Sequence, residues 1–283
     1  TGTVKGPEPI AIDDTLSFFN PKAGITYRAS EASRLYLSYA KAQREPNRSD
    51  YENGTPKPES LNDFEAGWRF KKEKIQLQAN LYYMDYKNQL VLTGALDAVG
   101  EPIRTNSGAS YRFGLEIEAA IQFAEQWVWQ PNLALSSNKN KDFYFKRDGQ
   151  LQNLGTTHIS YSPAVVGASN LVYAPTTVFR VALLSKYVGE QYMGNIDADL
   201  SKLDAYFTND INISYVWTAN SWIKEAQFSL LVNNIFDELY TSNGYFYTFD
   251  DDYSVPDVVT TIEGVGYYPQ ARTNCLLGAT FRF

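Results

Sequence analysis

The chain has 283 residues, with 25 Lys and Arg against 32 Asp and Glu for a formal net charge of -7, and 15% of it is aromatic, including 21 Tyr. Such aromatic content excludes a disordered chain, and no run approaches the ~18 apolar residues of a membrane helix. An acidic chain without a basic run argues against a nucleic-acid partner, one cysteine (Cys275) excludes a disulfide framework, and one histidine leaves little for metal or triad chemistry.

Residues Thr1 to Pro7 hold no apolar signal-peptide core, which fits a cytosolic protein, a mature chain or a fragment. Period-two alternation then predicts strands at 18–30 and 33–43. The next is 62–73, where Phe64, Ala66, Trp68 and Phe70 oppose Glu65, Gly67, Arg69 and Lys71. Strands follow at 74–90 and 109–124. In the latter Tyr111, Phe113, Leu115, Ile117, Ala119 and Ile121 share one face, and Arg112, Gly114, Glu116 and Glu118 the other. Further strands are predicted at 126–138, 163–174, 177–189 and 203–217, then at 223–234 and 267–283. Several alternate for ten residues or more, beyond the soluble norm of about 5–6. No helix competes.

The links alternate too. Short ones fall at Glu31-Ala32, around Glu73, at Glu125, at Ala174 to Thr176 and at Thr218 to Trp222. Between them run long links, the last and longest from Ile235 to Gly266. Long strands with all long loops on one rim predict an all-β, antiparallel, up-and-down transmembrane β-barrel in a bacterial outer membrane. A soluble sandwich uses shorter strands and does not segregate its loops this way. Aromatics gather at both expected rims, with Trp127, Trp129, Tyr215, Trp217, Phe281 and Phe283 on the short-turn side and Tyr111, Tyr206, Phe207, Tyr267 and Tyr268 on the other. The mean hydropathy of -0.36 is compatible with this, because such a sheet is apolar on one face only.

Eleven strands are an odd number, whereas single-chain bacterial barrels close with an even one, and an open edge does not survive in lipid. Either Thr3 to Asp13 add a twelfth strand, or residues 1–283 are the C-terminal portion, of about eleven strands, of a larger barrel. The second is the preferred reading.

Particular residues carry a family resemblance. Asn233-Asn234-Ile235-Phe236-Asp237-Glu238-Leu239-Tyr240 is similar to the Asn-Leu-Phe-Asp motif, followed by Tyr, of TonB-dependent outer-membrane receptors. Tyr268-Pro269-Gln270-Ala271-Arg272, Gly278 and Phe281-Arg282-Phe283 resemble the family's last strand, and Phe283 resembles the terminal aromatic read by the barrel-assembly machinery. Phe19 to Gly24, Pro58-Glu59 with Glu65-Ala66-Gly67, and Arg112 with Gly114-Leu115-Glu116 resemble earlier strand starts. The resemblance implies a barrel of about 22 strands with a plugged lumen, of which the plug domain and N-terminal strands are absent here. It also implies active uptake of a scarce, large solute such as a ferric siderophore, cobalamin, haem or a glycan. The implied partners are outer-membrane lipid, the chain's own plug, the TonB complex through the absent N-terminal region, and the small-molecule or oligosaccharide solute.

No catalytic residue, metal or cofactor is expected. His158 beside Ser160 lacks an orienting group in the sequence, and Asp197, Asp199 and Asp250 to Asp252 read as solvated acidic tips. The inward-facing Arg69, Lys71, Arg112, Glu116, Glu118, Arg180, Lys186, Asp210 and Arg272 have mixed sign, which suits cross-strand pairing or plug contacts better than an ion-selective ring. The candidate substrate contacts are Tyr245, Tyr247, Phe249 and Tyr253 in the last long loop, where rings are mixed with polar groups. Two rivals remain open: a passive substrate-selective channel, and a soluble β-rich carbohydrate-binding module using the same loop.

Overall fold

Alternation builds a wall. The computed structural model describes residues 15–52, 55–96, 102–106, 108–219 and 222–283, so the candidate strand Thr3 to Asp13 lies outside the described residues. In chain order the strands are β1 (Lys22–Arg28), β2 (Ser33–Arg44), β3 (Glu59–Lys72), β4 (Ile75–Lys87), β5 (Leu90–Leu96), β6 (Pro102–Asn106) and β7 (Ala109–Ala124). Next are β8 (Trp127–Lys141), β9 (Tyr144–Arg147), β10 (Gln150–Asn153), β11 (Thr157–His158), β12 (Val165–Tyr173), β13 (Phe179–Val188) and β14 (Gln191–Tyr192). The remainder are β15 (Lys202–Leu203), β16 (Tyr206–Thr218), β17 (Glu225–Asn233), β18 (Thr241–Asp251), β19 (Thr260–Pro269) and β20 (Asn274–Arg282).

Eleven of these form one antiparallel sheet in the order β1-β2-β3-β4-β7-β8-β12-β13-β16-β17-β20, with β11 added beside β8. All eleven predicted strands are present. Sequence neighbours on this path are also spatial neighbours, as an up-and-down meander requires.

Register explains why the two faces differ. One cross-strand row runs Ile25, Leu37, Ala66, Leu81, Leu115, Leu135 and Val165. A second runs Ile75, Ile121, Trp129, Leu171, Leu183, Ile211, Val232 and Cys275. Between them on the opposite face lie Arg34, Arg69, Gln78, Glu118, Asn132, Ala168, Lys186 and Thr208. The apolar face stays exposed: Leu37 and Leu81 in the first row and Leu277 on β20 retain 59%, 44% and 82% of their surface. A soluble sheet would bury that face, so the solvent for it is hydrocarbon.

Two glycines tighten the polar face. At Gly67 and Gly114 a Cβ would fall onto the rings of Tyr36 and Tyr82, the residues paired with them on the next strand. The rings therefore lie over the glycines. Aromatics also mark the short-turn rim, where Trp127 stacks on Tyr173 at 4.5 Å and Trp222 meets Phe283 at 4.7 Å.

The last strand corrects the sequence reading. Residues 267–283 do not form one strand: Tyr267 to Pro269 are the last residues of β19, a break spans 270–273, and β20 begins at Asn274. The alternation continues through Pro269, which hides the break from sequence. Tyr267 and Tyr268 therefore belong to the outer loops rather than to a girdle on the wall, and Arg272 sits at the rim instead of facing inward.

Among the described residues, β1 pairs only with β2 and β20 only with β17. The wall thus has two unpaired edges.

Candidate functional site

The long loops are not irregular. Among the described residues of the link 88–108, β5 and β6 pair antiparallel as a hairpin, and the last link folds into the hairpin β18-β19. These two hairpins come from distant parts of the wall, yet β18 meets β5 in parallel at Thr248 and Ala95. The result is a four-stranded sheet, β19-β18-β5-β6, above the loop rim. It spans the arc that contains β8, β12, β13 and β16.

One face of that sheet packs on the loops of the arc. Arg147 on β9 pairs with Glu263 at 2.5 Å, and Lys146 pairs with Asp250 at 3.2 Å. Asp148 donates its backbone N–H to Thr261 Oγ1 at 2.7 Å and accepts the Thr261 N–H at 2.8 Å. Tyr161 donates to the Gly244 carbonyl and Tyr267 to the Leu200 carbonyl. Burial of the Tyr161 phenol pushes its pKa up. Beneath them Val91, Phe143 and Phe145 form a small buried core with Leu154 and Ile196. Asp250 is therefore engaged and not a free acidic tip. Asp251 accepts the Tyr253 and Ser254 N–H groups, and its hydrogen bonds with Ser254 hold its carboxyl below the usual range.

The opposite face carries the candidate contacts. Alternate residues of a strand share a face, so Tyr245, Tyr247 and Phe249 form one row. Their centroids are 6.3 and 6.5 Å apart, with planes within 22° and 14°. Tyr245 and Phe249 are exposed and Tyr247 half-buried. Tyr253 is exposed but lies apart, in the turn beyond β18. Three of the four candidates are brought together and one is not.

The residues of the family motif form a clasp below this sheet. Asn234 and Asp237 both adopt positive φ, 50° and 58°, which Asn and Asp tolerate better than most side chains. Asn234 accepts the Glu238 N–H at 2.9 Å through Oδ1 and donates from Nδ2 to the Glu238 carbonyl at 2.8 Å. Asp237 takes the Arg272 guanidinium through both carboxylate oxygens. Thr273 donates its hydroxyl to the Asn234 carbonyl at 2.7 Å. The motif holds the loop closed at its base.

His158 has more company than its sequence position suggests. Its N–H and Nδ1 meet the two Asp197 oxygens at 2.8 and 2.9 Å, and its ring stacks on Tyr192. The other ring nitrogen, which a serine nucleophile would need, faces Lys139 Nζ. Asp197 is thus a loop tie, against the expectation of a solvated tip. The buried Asn140 donates to Thr157 Oγ1 and to the His158 carbonyl, both at 3.2 Å, fixing the same loop. No local sequence signal joins positions 139, 158 and 197.

On the polar face of the wall, a cavity of about 290 Å³ is lined by Glu65, Asn80, Tyr82, Arg112 and Glu116 and roofed by Tyr161 to Pro163. Arg112 reaches up to Ser162 Oγ at 2.9 Å. The expected cross-strand pairing is therefore not general: Arg112 ties wall to loop, and Arg69 lies over the Tyr36 ring. Among the described residues no group of three or more His, Cys, Asp or Glu could hold a metal ion. Phe283 lies at the other end, its ring against Trp222 and its carbonyl accepting from Lys224 Nζ at 3.1 Å.

A wall of long strands, apolar outside and polar within, with a structured cover on one rim, defines an outer-membrane β-barrel protein. Residues 2–235 match the family model described as TonB dependent receptor-like, beta-barrel, and the chain belongs to that family. It is 23% identical over 273 residues to the catecholate siderophore receptor Fiu of Escherichia coli K12, covering 87% of this chain and 33% of that protein. Among solved structures, the ferric yersiniabactin uptake receptor FyuA from Yersinia pestis aligns with a TM-score of 0.63 at 19% identity, over 93% of this chain and 37% of that one. The copper transporter OprC aligns with a TM-score of 0.67 at 19% identity, over 93% and 39%. The chain therefore spans about a third of the length of the relatives it matches, and at such identities the structures share its fold.

Proposed function

We propose that residues 1–283 are the C-terminal part of the barrel of a TonB-dependent receptor that imports a siderophore-type metal chelate. The observation that carries this reading is the sheet β19-β18-β5-β6. It bridges two distant loops and turns an uncharged aromatic row away from the loops that support it. A passive channel gains nothing from such a cover, whereas a receptor needs a rigid surface that meets solute before transport. In this reading the earlier strands close onto the edges of β1 and β20, and a plug occupies the polar lumen and contacts the TonB complex. Outer-membrane lipid covers the apolar rows, and the assembly machinery reads Phe283.

The relatives are transport receptors, and the chain is proposed to have no catalytic activity. The occupied ring nitrogen of His158 supports this. The test is growth. A deletion strain starved of iron should fail on a ferric catecholate as sole iron source and recover with the full-length gene. Equal growth with and without the gene on every chelate tried would overturn the uptake reading.

A further inference from the structure

We infer that the outer surface of β1, β2, β3, β4, β7 and β8 binds a phosphate-bearing lipid of the outer leaflet. Lys41, Lys87, Lys139 and Lys141 would hold its headgroup, and an apolar hollow beneath them its acyl chains. Such a site needs only the membrane wall, whatever the solute.

Register sets the lysines in two rows. The first runs Lys41, Asn62, Asp85, Tyr111, Lys139 and His158. The second, about 6.8 Å nearer the loop rim, runs Gln43, Ser60, Lys87, Ala109 and Lys141. Alternate residues share a face, so these rows continue the apolar face above Leu37 and Tyr39 on β2 and above Leu81 and Tyr83 on β4. Lys141 Nζ stands 5.0 Å from the centre of the Tyr111 ring. Among the described residues, no salt bridge engages any of the four lysines. Asp85 is the one carboxylate in the two rows, and Asp197 beside them is taken by His158. Farther round the rim the pattern differs, with Lys202 paired to Glu190 at 2.7 Å. In a chain of net charge -7, cations without acidic partners are thus gathered in one sector.

Depth puts these cations beside headgroups. From Ile75 to Tyr83 the outward side of β4 covers about 27 Å of strand, or about 20 Å of depth at the usual tilt. Tyr39, Phe64, Tyr83 and Phe113 form the row just below the lysines, where rings mark the edge of the hydrocarbon. The lysine stems can then carry their ammonium groups to phosphates at that level.

The wall below is not smooth. Ile25, Leu37, Ala66 and Leu81 line two adjoining apolar hollows of about 620 and 670 Å³. The small Ala66 and Ala79 leave the depression, which Phe64 and Tyr83 bound above and Tyr27 and Trp68 below. A charged ledge directly above an apolar hollow matches the two ends of one lipid. A free anion would leave the hollow empty, and an acidic protein could not reach into the hydrocarbon.

In native mass spectrometry, the full-length receptor in detergent should retain lipid A carrying both phosphates. Lys41→Gln and Lys87→Gln should each weaken retention by about fivefold, and Lys87→Arg should preserve it. Ala66→Phe, which fills the hollow without changing charge, should weaken it too, while Lys202→Gln should not. Lipid A stripped of its phosphates should be retained less well, and inorganic phosphate at equal concentration should not compete. Heat-modifiable migration checks that each variant is folded, with Lys141→Gln as the replacement if one is not. Equal retention of lipid A with and without phosphates, or equal retention by wild type and both glutamine variants, would overturn the site. Displacement by inorganic phosphate would overturn it in favour of a simple anion site, and full retention by Ala66→Phe in favour of surface charge alone.

Discussion

Asp237 and Arg272 close the last outer loop at its base, the guanidinium spanning both carboxylate oxygens while Thr273 donates its N–H at 3.2 Å. The Arg272 hydrogen bonds, then the Thr273 N–H, pull the Asp237 carboxyl from its ordinary 3.8 down to about 2. A carboxylate held low steadies the fold above its unfolded value and loses that contribution as pH falls through its folded one. The loop 234–273 should therefore resist pepsin near pH 4 and become cleavable as pH falls towards 2. In Arg272→Gln the loop should be cleaved alike across that window, because the depressed carboxylate is gone.

The pair Arg147–Glu263 joins the hairpin β9-β10 to β19. Reversal of one partner, Arg147→Glu, should loosen the cover by about 1 kcal/mol through lost pairing and new repulsion. The double reversal R147E/E263R should recover most of that. Hydrogen exchange of residues 241–269 in the single and double variants measures it. Equal exchange in both variants would show that the pair does not hold the cover down.

Gly114 is enclosed by the Tyr82 ring and by the Leu135 carbonyl, 2.8 Å from where a Cβ would stand. Backbone cannot move aside as a side chain does. Gly114→Ala should cost about 1–3 kcal/mol by overpacking, read as a lower temperature for loss of the folded band in heat-modifiable migration. Gly108 has open space at the same atom but φ +79°, so Gly108→Ala should be penalised only by its backbone.

Leu81 and Gln78 lie on opposite faces of β4. Leu81→Arg puts a charge into the hydrocarbon and should destabilise the barrel by about 2–4 kcal/mol at mid-depth, measured by urea unfolding in lipid vesicles. Gln78→Arg, on the polar face with Glu118 paired beside it, should change little. Similar losses for both would mean that the faces are assigned wrongly.

The wall was legible because its period of two is imposed by two solvents, lipid and water, on alternate residues. Tyr111 to Ile121 shows both faces in eleven letters, and β7 lies there. The cover was not legible for the opposite reason. Tyr245, Tyr247 and Phe249 also alternate, but they lie over Gly264 and Gly266 of the return strand, while loops such as Asp148-Gly149 support the opposite face of the sheet. That environment appears only after the chain has folded back. His158 and Asp197 meet through β8, β11 and the loop before β15, a juxtaposition with no short-range trace. The rings themselves were found because composition made them conspicuous, while the glycines that seat them were not.

The pairing of Thr248 with Ala95 joins two hairpins whose flanking wall strands stand far apart in the chain. Contacts of such sequence separation form late, once the loop entropy between them has been spent on nearer pairings. The wall must stand before this junction can close, much as a keystone is set after its arch. The cover is then the last part of the barrel to acquire order and the first to give way under stress, so the mouth can come apart and re-form while the hydrocarbon seal below it stays intact.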